Sequence, residues 1–293
     1  MLKWKLDNLE VAVVSGGRMR IDGGAMFGVV PRAVWARAVP PDEAHRIQLD
    51  TNCLLIRAGD RCAIVDTGYG SKGSDRDRRN FDLEEGEPLV RNLAALGVEP
   101  AAVDTVILTH LHFDHVGGCT RRTDAGQIEP VFASARHVVQ RSEWDDAIGG
   151  APEFASQYFT DDFAVLADRG MLEFLDGDAE VMPGVTCRHV GGHTSGHQII
   201  SLGEGDRPVL YLADLCPTTA HLPTMWSMAY DLFPLDVRRT KPRIFAEAIV
   251  AQNPVLFAHD SETKGAWLEE MPGGLVALGR KLDGTEHDLR RVP

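Results

Sequence analysis

No two cysteines of this chain stand in a Cys-x-x-Cys pair, and the five present (Cys53, Cys62, Cys119, Cys187 and Cys216) are odd in number. That spacing gives neither a disulfide framework nor a thiolate metal knuckle. The thiols read as reduced groups of a cytoplasmic protein. Cys119 and Cys216 stand near the polar clusters described below and read as packing residues. No apolar run approaches the roughly 20 residues that cross a bilayer, and residues 1–6 lead into no signal-peptide core. Basic charge is also short: 30 Lys and Arg against 43 Asp and Glu leave a formal net charge of −13. Surfaces that follow a phosphate backbone are normally basic, so neither nucleic acid nor a membrane is an expected partner. Internal repeats, low-complexity tracts and linkers are missing too, and the expectation is one domain over residues 1–293.

What is present is a chain of 293 residues, long enough for a large buried core, with its chemistry concentrated at one place. The stretch Thr109-His110-Leu111-His112-Phe113-Asp114-His115 runs on into Val116-Gly117-Gly118. It follows the β-branched run 103–108, which reads as a buried strand. Metal-competent side chains therefore stand where a strand stops and the chain turns. His110 and His112 alternate along an extended segment and can point together, while Asp114 and His115 follow at the turn and can face a second position. One ion takes about four ligands, and imidazole with carboxylate suits zinc or another first-row divalent ion; a cluster this rich suggests two ions.

Taken in order, residues 9–22 read as a strand, a turn and a short second strand, and residues 23–48 as irregular but too apolar for a linker. Met26, Phe27 and Trp35 in that segment line a pocket or a subunit contact, or plug the core. A hairpin over 49–66 ends in Asp66, which either braces the metal shell from behind or closes an Asx-type turn. Residues 71–80 read as a solvated charged loop, and 88–97 as a helix with Pro88 at its start and Gly97 at its end. The spacing predicts a helix over 135–147 that carries His137 as a surface or capping residue. A partly exposed helical segment follows over 151–168.

Three later strand ends deliver the same residue types. Gly191-Gly192-His193 follows one strand, with His193 preferred over His197 because it stands first. The apolar run 208–213 ends in Asp214, and 254–258 ends in His259-Asp260. A buried carboxylate at Asp214 is costly unless a cation compensates it.

This order of His-x-His-x-Asp-His, a later Gly-His, a strand-end Asp and a last strand-end His resembles the metallo-β-lactamase superfamily, over residues from about 49 to 260. The resemblance implies an α/β fold, a four-layer αβ/βα sandwich. It implies that His110, His112 and His193 hold one metal, that Asp114, His115 and His259 hold the second, and that Asp214 bridges them. The segment 23–31 with Trp35, Ser142-Glu143-Trp144 and the 191–197 loop look like the branch of N-acyl-homoserine-lactone (quorum-quenching) lactonases and organophosphate hydrolases. Zinc is the expected metal, with Mn, Fe or Co compatible, and a homodimer is implied by the same analogy.

The expected reaction is lactone opening by attack of a metal-bound hydroxide, with Asp114 as proton donor to the leaving oxygen. Phosphotriester hydrolysis and glyoxalase-II-like thioester hydrolysis are the alternatives on the same site, and a non-catalytic ligand sensor is a third class. Some lactonases carry a Tyr three residues after the bridging Asp; here Pro217 stands there, leaving His221 or Tyr230 to substitute, or the metals to act alone. Met26, Phe27, Trp35, Met225, Trp226 and Met228 either line an acyl-chain pocket or pack in the core.

Overall fold

Two side-chain parities along the inner strands, both apolar, set how this chain stacks. A computed structural model describes residues 2–282, apart from 153, 155, 156 and 206, and the backbone of 287–288. The chain begins with β1 (Lys3–Leu6), β2 (Leu9–Asp22), α1 (Gly23–Phe27), α2 (Arg32–Ala38), β3 (Arg46–Ala58) and β4 (Arg61–Val65). It continues through α3 (Asp75–Phe81), α4 (Pro88–Ala94), β5 (Thr105–Ile107), α5 (Phe113–Val116) and the hairpin of β6 (Thr120–Arg122) and β7 (Ile128–Pro130). Then come β8 (Arg136–Gln140), α6 (Arg141–Ile148), α7 (Ala164–Asp168) and β9 (Leu172–Leu175). The remainder is β10 (Ala179–Met182), β11 (Val185–His189), β12 (Gln198–Leu202), β13 (Val209–Tyr211), α8 (Pro234–Ala251), β14 (Val255–Leu256), β15 (Gly265–Met271), β16 (Leu275–Lys281) and β17 (His287–Asp288).

One sheet has the order β17-β1-β2-β3-β4-β5-β8-β9 and the other β10-β11-β12-β13-β14-β15-β16. Strands β4, β5, β8 and β9 are parallel, as are β13 and β14, which α8 connects. Leu54, Ile56, Val65 and Ile107 of the first sheet meet Val185, Ile200, Val209 and Tyr211 of the second. The opposite parity of the first sheet (Leu55, Ile64, Val106) packs on Leu89, Leu93 and Leu166 of α4 and α7. That of the second (Ile199, Leu210, Val255) packs on Val237, Ile244 and Phe245 of α8. Sheets covered on both faces need both parities apolar. The layers are therefore helix, sheet, sheet, helix: the αβ/βα sandwich. No helix among the described residues is long and apolar enough to cross a membrane.

The structure departs from the sequence expectations at five places. Residues 9–22 form the single strand β2, with a bulge between Ser15 and Arg18. Gly17 there has φ 119°, and an added Cβ would lie 2.2 Å from the Tyr69 hydroxyl, so only glycine fits. Within 23–48, α1 and α2 form because Asp22 caps the first turn, accepting the Ala25 N–H at 2.9 Å, and Pro31 opens the second. The charged stretch 71–80 contains α3, nucleated by a capping box between Ser74 and Asp77. Residues 135–147 divide into β8 and α6, and His137 is a fully buried strand residue, not a surface one. The segment 151–168 is a short 3-10 turn, Thr160–Asp162, and α7; residues 153, 155 and 156 lie outside the described residues.

Candidate metal centre

Strand ends from both sheets converge on one rim. β5 ends at Ile107 and the chain bends at Thr109 before His110; His112 is then the N-cap of α5, the short helix that carries Asp114 and His115. His193 comes from the loop after β11, where Gly191 and Gly192 take φ 60° and 90°. A Cβ on Gly192 would lie 2.9 Å from Val237 Cγ2, so this loop can pass α8 only as glycine. Asp214 follows β13 through Ala213, a non-glycine residue at φ 44° that swings the carboxylate into the rim. His259 follows β14.

All seven side chains meet. His112 Nδ1 lies 3.0 Å from both His110 Nε2 and His193 Nε2. His115 Nε2 and His259 Nε2 are 3.1 Å apart, and Asp114 Oδ2 lies 3.6 Å from His259 Nε2 and 4.0 Å from His115 Nε2. Asp214 stands between the groups. Its Oδ2 faces His193 Nε2 at 3.2 Å and His110 Nε2 at 4.0 Å, while Oδ1 faces His259 Nε2 at 3.1 Å and His115 Nε2 at 3.5 Å. Tetrahedral ligands about 2.0–2.1 Å from an ion are about 3.3–3.4 Å from one another, so this packing of donor atoms is the spacing a cation imposes. Asp214 Oδ1 is buried and accepts no hydrogen bond. A carboxylate oxygen left so is costly without a cation, and the donor set fits divalent ions.

The outer nitrogens of the imidazoles are tied down. His115 Nδ1 bonds Asp66 Oδ2 at 2.9 Å, and Asp66 also accepts the Thr109 N–H at 2.8 Å and the Thr109 hydroxyl. Thr109 Oγ1 in turn lies 3.1 Å from His110 Nδ1. His193 Nδ1 bonds Asp231 Oδ1 at 2.8 Å, His259 Nδ1 the carbonyl of Asp50 at 2.9 Å, and His112 Nε2 the Gln157 Oε1 at 3.1 Å. Such partners fix tautomer and ring orientation. Asp66 thus braces the cluster from behind, as one of its two sequence readings has it.

Burial holds His112 at a pKa of about 3, with His193 adding to the effect, and lowers His110 likewise. A neutral imidazole is the form that binds metal. Burial also opposes charge on His115, but Asp66 and Asp214 more than reverse this and its pKa rises. The Asp214 carboxyl, against the pull of burial, is held well below the usual range by His259, His115 and His193.

Two contributors carried little signal in the sequence. Glu143 of α6 is buried and gathers four donors: the Leu111 N–H at 2.9 Å and Tyr158 hydroxyl at 3.1 Å on Oε1, the Thr194 hydroxyl at 2.5 Å and Gly196 N–H at 3.2 Å on Oε2. It welds the His110–His112 segment to the His193 loop. Asp231, beside Tyr230, gave only the hint of an acid within an apolar stretch. His197 lies outside the cluster, its Nε2 accepting the Asp214 N–H at 3.1 Å.

The residues read from sequence as pocket lining divide. Met26, Phe27 and Trp35 are sealed in a core cluster, because α1 and α2 turn them inward; Phe27 stacks on Trp35 and His221 at 5.4 and 4.9 Å. Trp226 lines a cavity of about 540 Å³ whose wall includes His259. A second cavity, about 260 Å³, is bounded by Phe81, Phe113 and Phe159. Pro217 accepts the His259 N–H at 2.8 Å. His221 is engaged at both nitrogens, by Thr218 and the Met26 carbonyl. Tyr230 has its ring 5.8 Å from that of His193 and its hydroxyl on Met26 Sδ.

A four-layer αβ/βα sandwich with His and Asp donors at its strand ends defines the class. The chain belongs to the metallo-beta-lactamase superfamily, a family of metal-dependent hydrolases, whose model matches residues 46–248. It is similar to an N-acyl homoserine lactonase of a Bacillus species, 26% identical over 228 residues, 74% of this chain and 83% of that protein. A solved probable metal-dependent hydrolase from Staphylococcus aureus superposes with a TM-score of 0.84 at 32% identity, covering 94% of this chain and 98% of that one. AidC, a dizinc quorum-quenching lactonase solved with a product, shares the fold at a TM-score of 0.77 and 17% identity, covering 95% and 96%.

Proposed function

We propose that this protein is a binuclear metal-dependent lactonase that opens N-acyl-homoserine lactones. The observation that carries the reading is Asp214, whose two oxygens each face a separate donor set. His110, His112 and His193 would hold one ion, and Asp114, His115 and His259 the other, with Asp214 available to both. The His/Asp donors suit zinc first and accommodate Mn, Fe or Co. When bound, the ions supply Lewis-acid polarisation of the carbonyl and activation of water.

The chain's own residues do the rest. Asp66, Asp231 and the Asp50 carbonyl keep the imidazoles of His115, His193 and His259 oriented with one nitrogen inward. Asp114 has 13% of its side chain exposed, the most open carboxylate of the cluster, and it carries the proton to the departing ring oxygen. No serine or cysteine nucleophile is needed; Cys119 and Cys216 are buried, with burial pushing both thiols up to about 12. The lactonase relatives favour a lactone over the phosphotriester alternative.

The test is ring opening of an acyl-homoserine lactone by metal-loaded protein, followed by pH indicator. His112→Ala and Asp214→Asn are expected to abolish it, and Asp114→Asn to lower kcat by about 10²–10⁴. Normal turnover by the first two variants, or faster hydrolysis of an aryl phosphotriester than of any lactone, refutes the reading.

A further inference from the structure

Lys241 lies in the middle of α8 with no exposed surface. Its ammonium donates to three main-chain carbonyls, those of His221 at 2.8 Å, Pro223 at 3.2 Å and Trp226 at 2.7 Å. Among the described residues, no carboxylate forms an ion pair with it at 4.0 Å or less. Burying a cation without a counter-ion is costly, and an aliphatic side chain would fill the inner face of α8 at less cost. Lysine at this position makes physical sense as an anchor for the loop 217–231. That loop has no regular structure beyond one 3-10 turn, Thr219–His221, and its Pro223 carbonyl also accepts the Trp226 N–H at 2.9 Å, so Lys241 holds a turn rather than a helix or strand.

The anchored loop matters because of what it delivers. Thr218, Leu222, Pro223 and Trp226 line the cavity of about 540 Å³ together with Ile47, Leu49 and His259. Further along, Tyr230 packs on His193 and Asp231 bonds its Nδ1. The loop's other ties to the body include Thr219 to Asp260, His221 to the Met26 carbonyl, Arg238 of α8 to the Ser227 hydroxyl, Ala229 N–H to the Ala25 carbonyl, and the Trp226 ring set edge-on to Phe27 at 5.4 Å. The 223–226 turn is pinned to α8 by Lys241.

We propose that Lys241 is a positioning residue that fixes the loop wall of this cavity, and that the cavity receives the apolar tail of the substrate. Lys241 therefore sets tail selectivity without touching substrate. The inference rests on the lactonase reading for its substrate, and its structural half is readable without any substrate.

Lys241→Met keeps the volume of the side chain and removes the three bonds. In hydrogen–deuterium exchange of the metal-loaded protein, amides of 217–231 are expected to exchange faster while metal content stays as in wild type. The KM for decanoyl-homoserine lactone is expected to rise about tenfold, the loss of one to two methylenes of apolar contact, with kcat within about a factor of two. Butanoyl-homoserine lactone, too short to use the wall, is expected to change much less. In Lys241→Ala, added propylammonium restores the wild-type exchange pattern and propanol does not, because the charge and not the bulk holds the turn. Unchanged exchange at 217–231, an equal rise of KM for both tails, or equal rescue by propanol overturns the proposal. If wild type opens neither lactone, the functional reading fails instead, and exchange in the two variants still supports or overturns the anchor.

Discussion

Glu143→Gln is the sharpest probe of how the centre is held. All four partners of this carboxylate are donors, two on each oxygen: Leu111 N–H and Tyr158 hydroxyl, then Thr194 hydroxyl and Gly196 N–H. An amide keeps one accepting oxygen and turns the other into an NH₂ group that faces two donors. Two hydrogen bonds to a charged group are lost, each worth about 1.5–3 kcal/mol, so the expected destabilisation is about 3–6 kcal/mol if nothing rotates. If Thr194 and Tyr158 turn their hydroxyls to accept, the loss falls toward the lower figure, because only the main-chain donors cannot adapt. The second consequence is at the metals. Leu111 lies between His110 and His112, and Thr194 follows His193, so one carboxylate holds both segments that supply the first ion's ligands. Loss of an outer-shell contact of this kind typically weakens metal binding about 10–100-fold. Chemical denaturation of the metal-loaded protein and chelator competition for the weaker-bound ion measure the two effects. A variant with wild-type stability and wild-type metal affinity refutes the claim that Glu143 welds the two segments.

His137 gives a pH test. Burial lowers its pKa to about 4, against about 6.5 in an unfolded chain. Between those values the unfolded state binds the extra proton, so stability is full above about pH 6.5, falls as pH drops, and levels off below about 4, by up to about 3 kcal/mol. His137→Leu is expected to flatten that slope in urea melts between pH 7 and pH 4.5; an unchanged slope assigns the acid sensitivity elsewhere. Removing metal with a chelator is expected to lower Tm, since Asp214 and its four imidazole neighbours lose the charge that compensates them. Re-addition of Zn restores Tm in wild type, and no chelator-dependent shift would mean that the cluster is stable by its own hydrogen bonds.

Much of the centre was legible because apolar runs announce strands and then stop at a residue that has no business in a core. The runs ending at His110, Asp214 and His259 show this, while the four-layer arrangement was legible only through the family resemblance those strand ends carry. What was hidden depends on contacts distant in sequence. Glu143 was marked only by the resemblance of Ser142-Glu143-Trp144 to the lactonase branch; its role is visible only from its four donors, 15 to 53 positions away. His137 was misplaced because Val138, Val139 and Trp144 fit a helical period, whereas tertiary pairing with β5 and β9 makes 136–140 a strand. The 23–48 segment reads as irregular because its glycines and prolines outweigh two short helices, one capped by Asp22 and the other opened by Pro31 without a side-chain cap. Its aromatics were readable as buried but not as sealed: whether Phe27 faces a cavity or Trp35 is decided by a helix only five residues long.

The donor atoms do not come from one half of the sandwich. His110, His112, Asp114 and His115 hang from the first sheet, and His193, Asp214 and His259 from the second. Elsewhere the two sheets touch largely through aliphatic side chains, contacts that resist separation but offer little resistance to sliding. Cations seated at the rim would act as rivets through two plates, with Asp214 as the shared washer. A shear of the sheets by even an ångström would break the spacing on both sides of that carboxylate together, so holding the metals and holding the halves in register become one mechanical requirement.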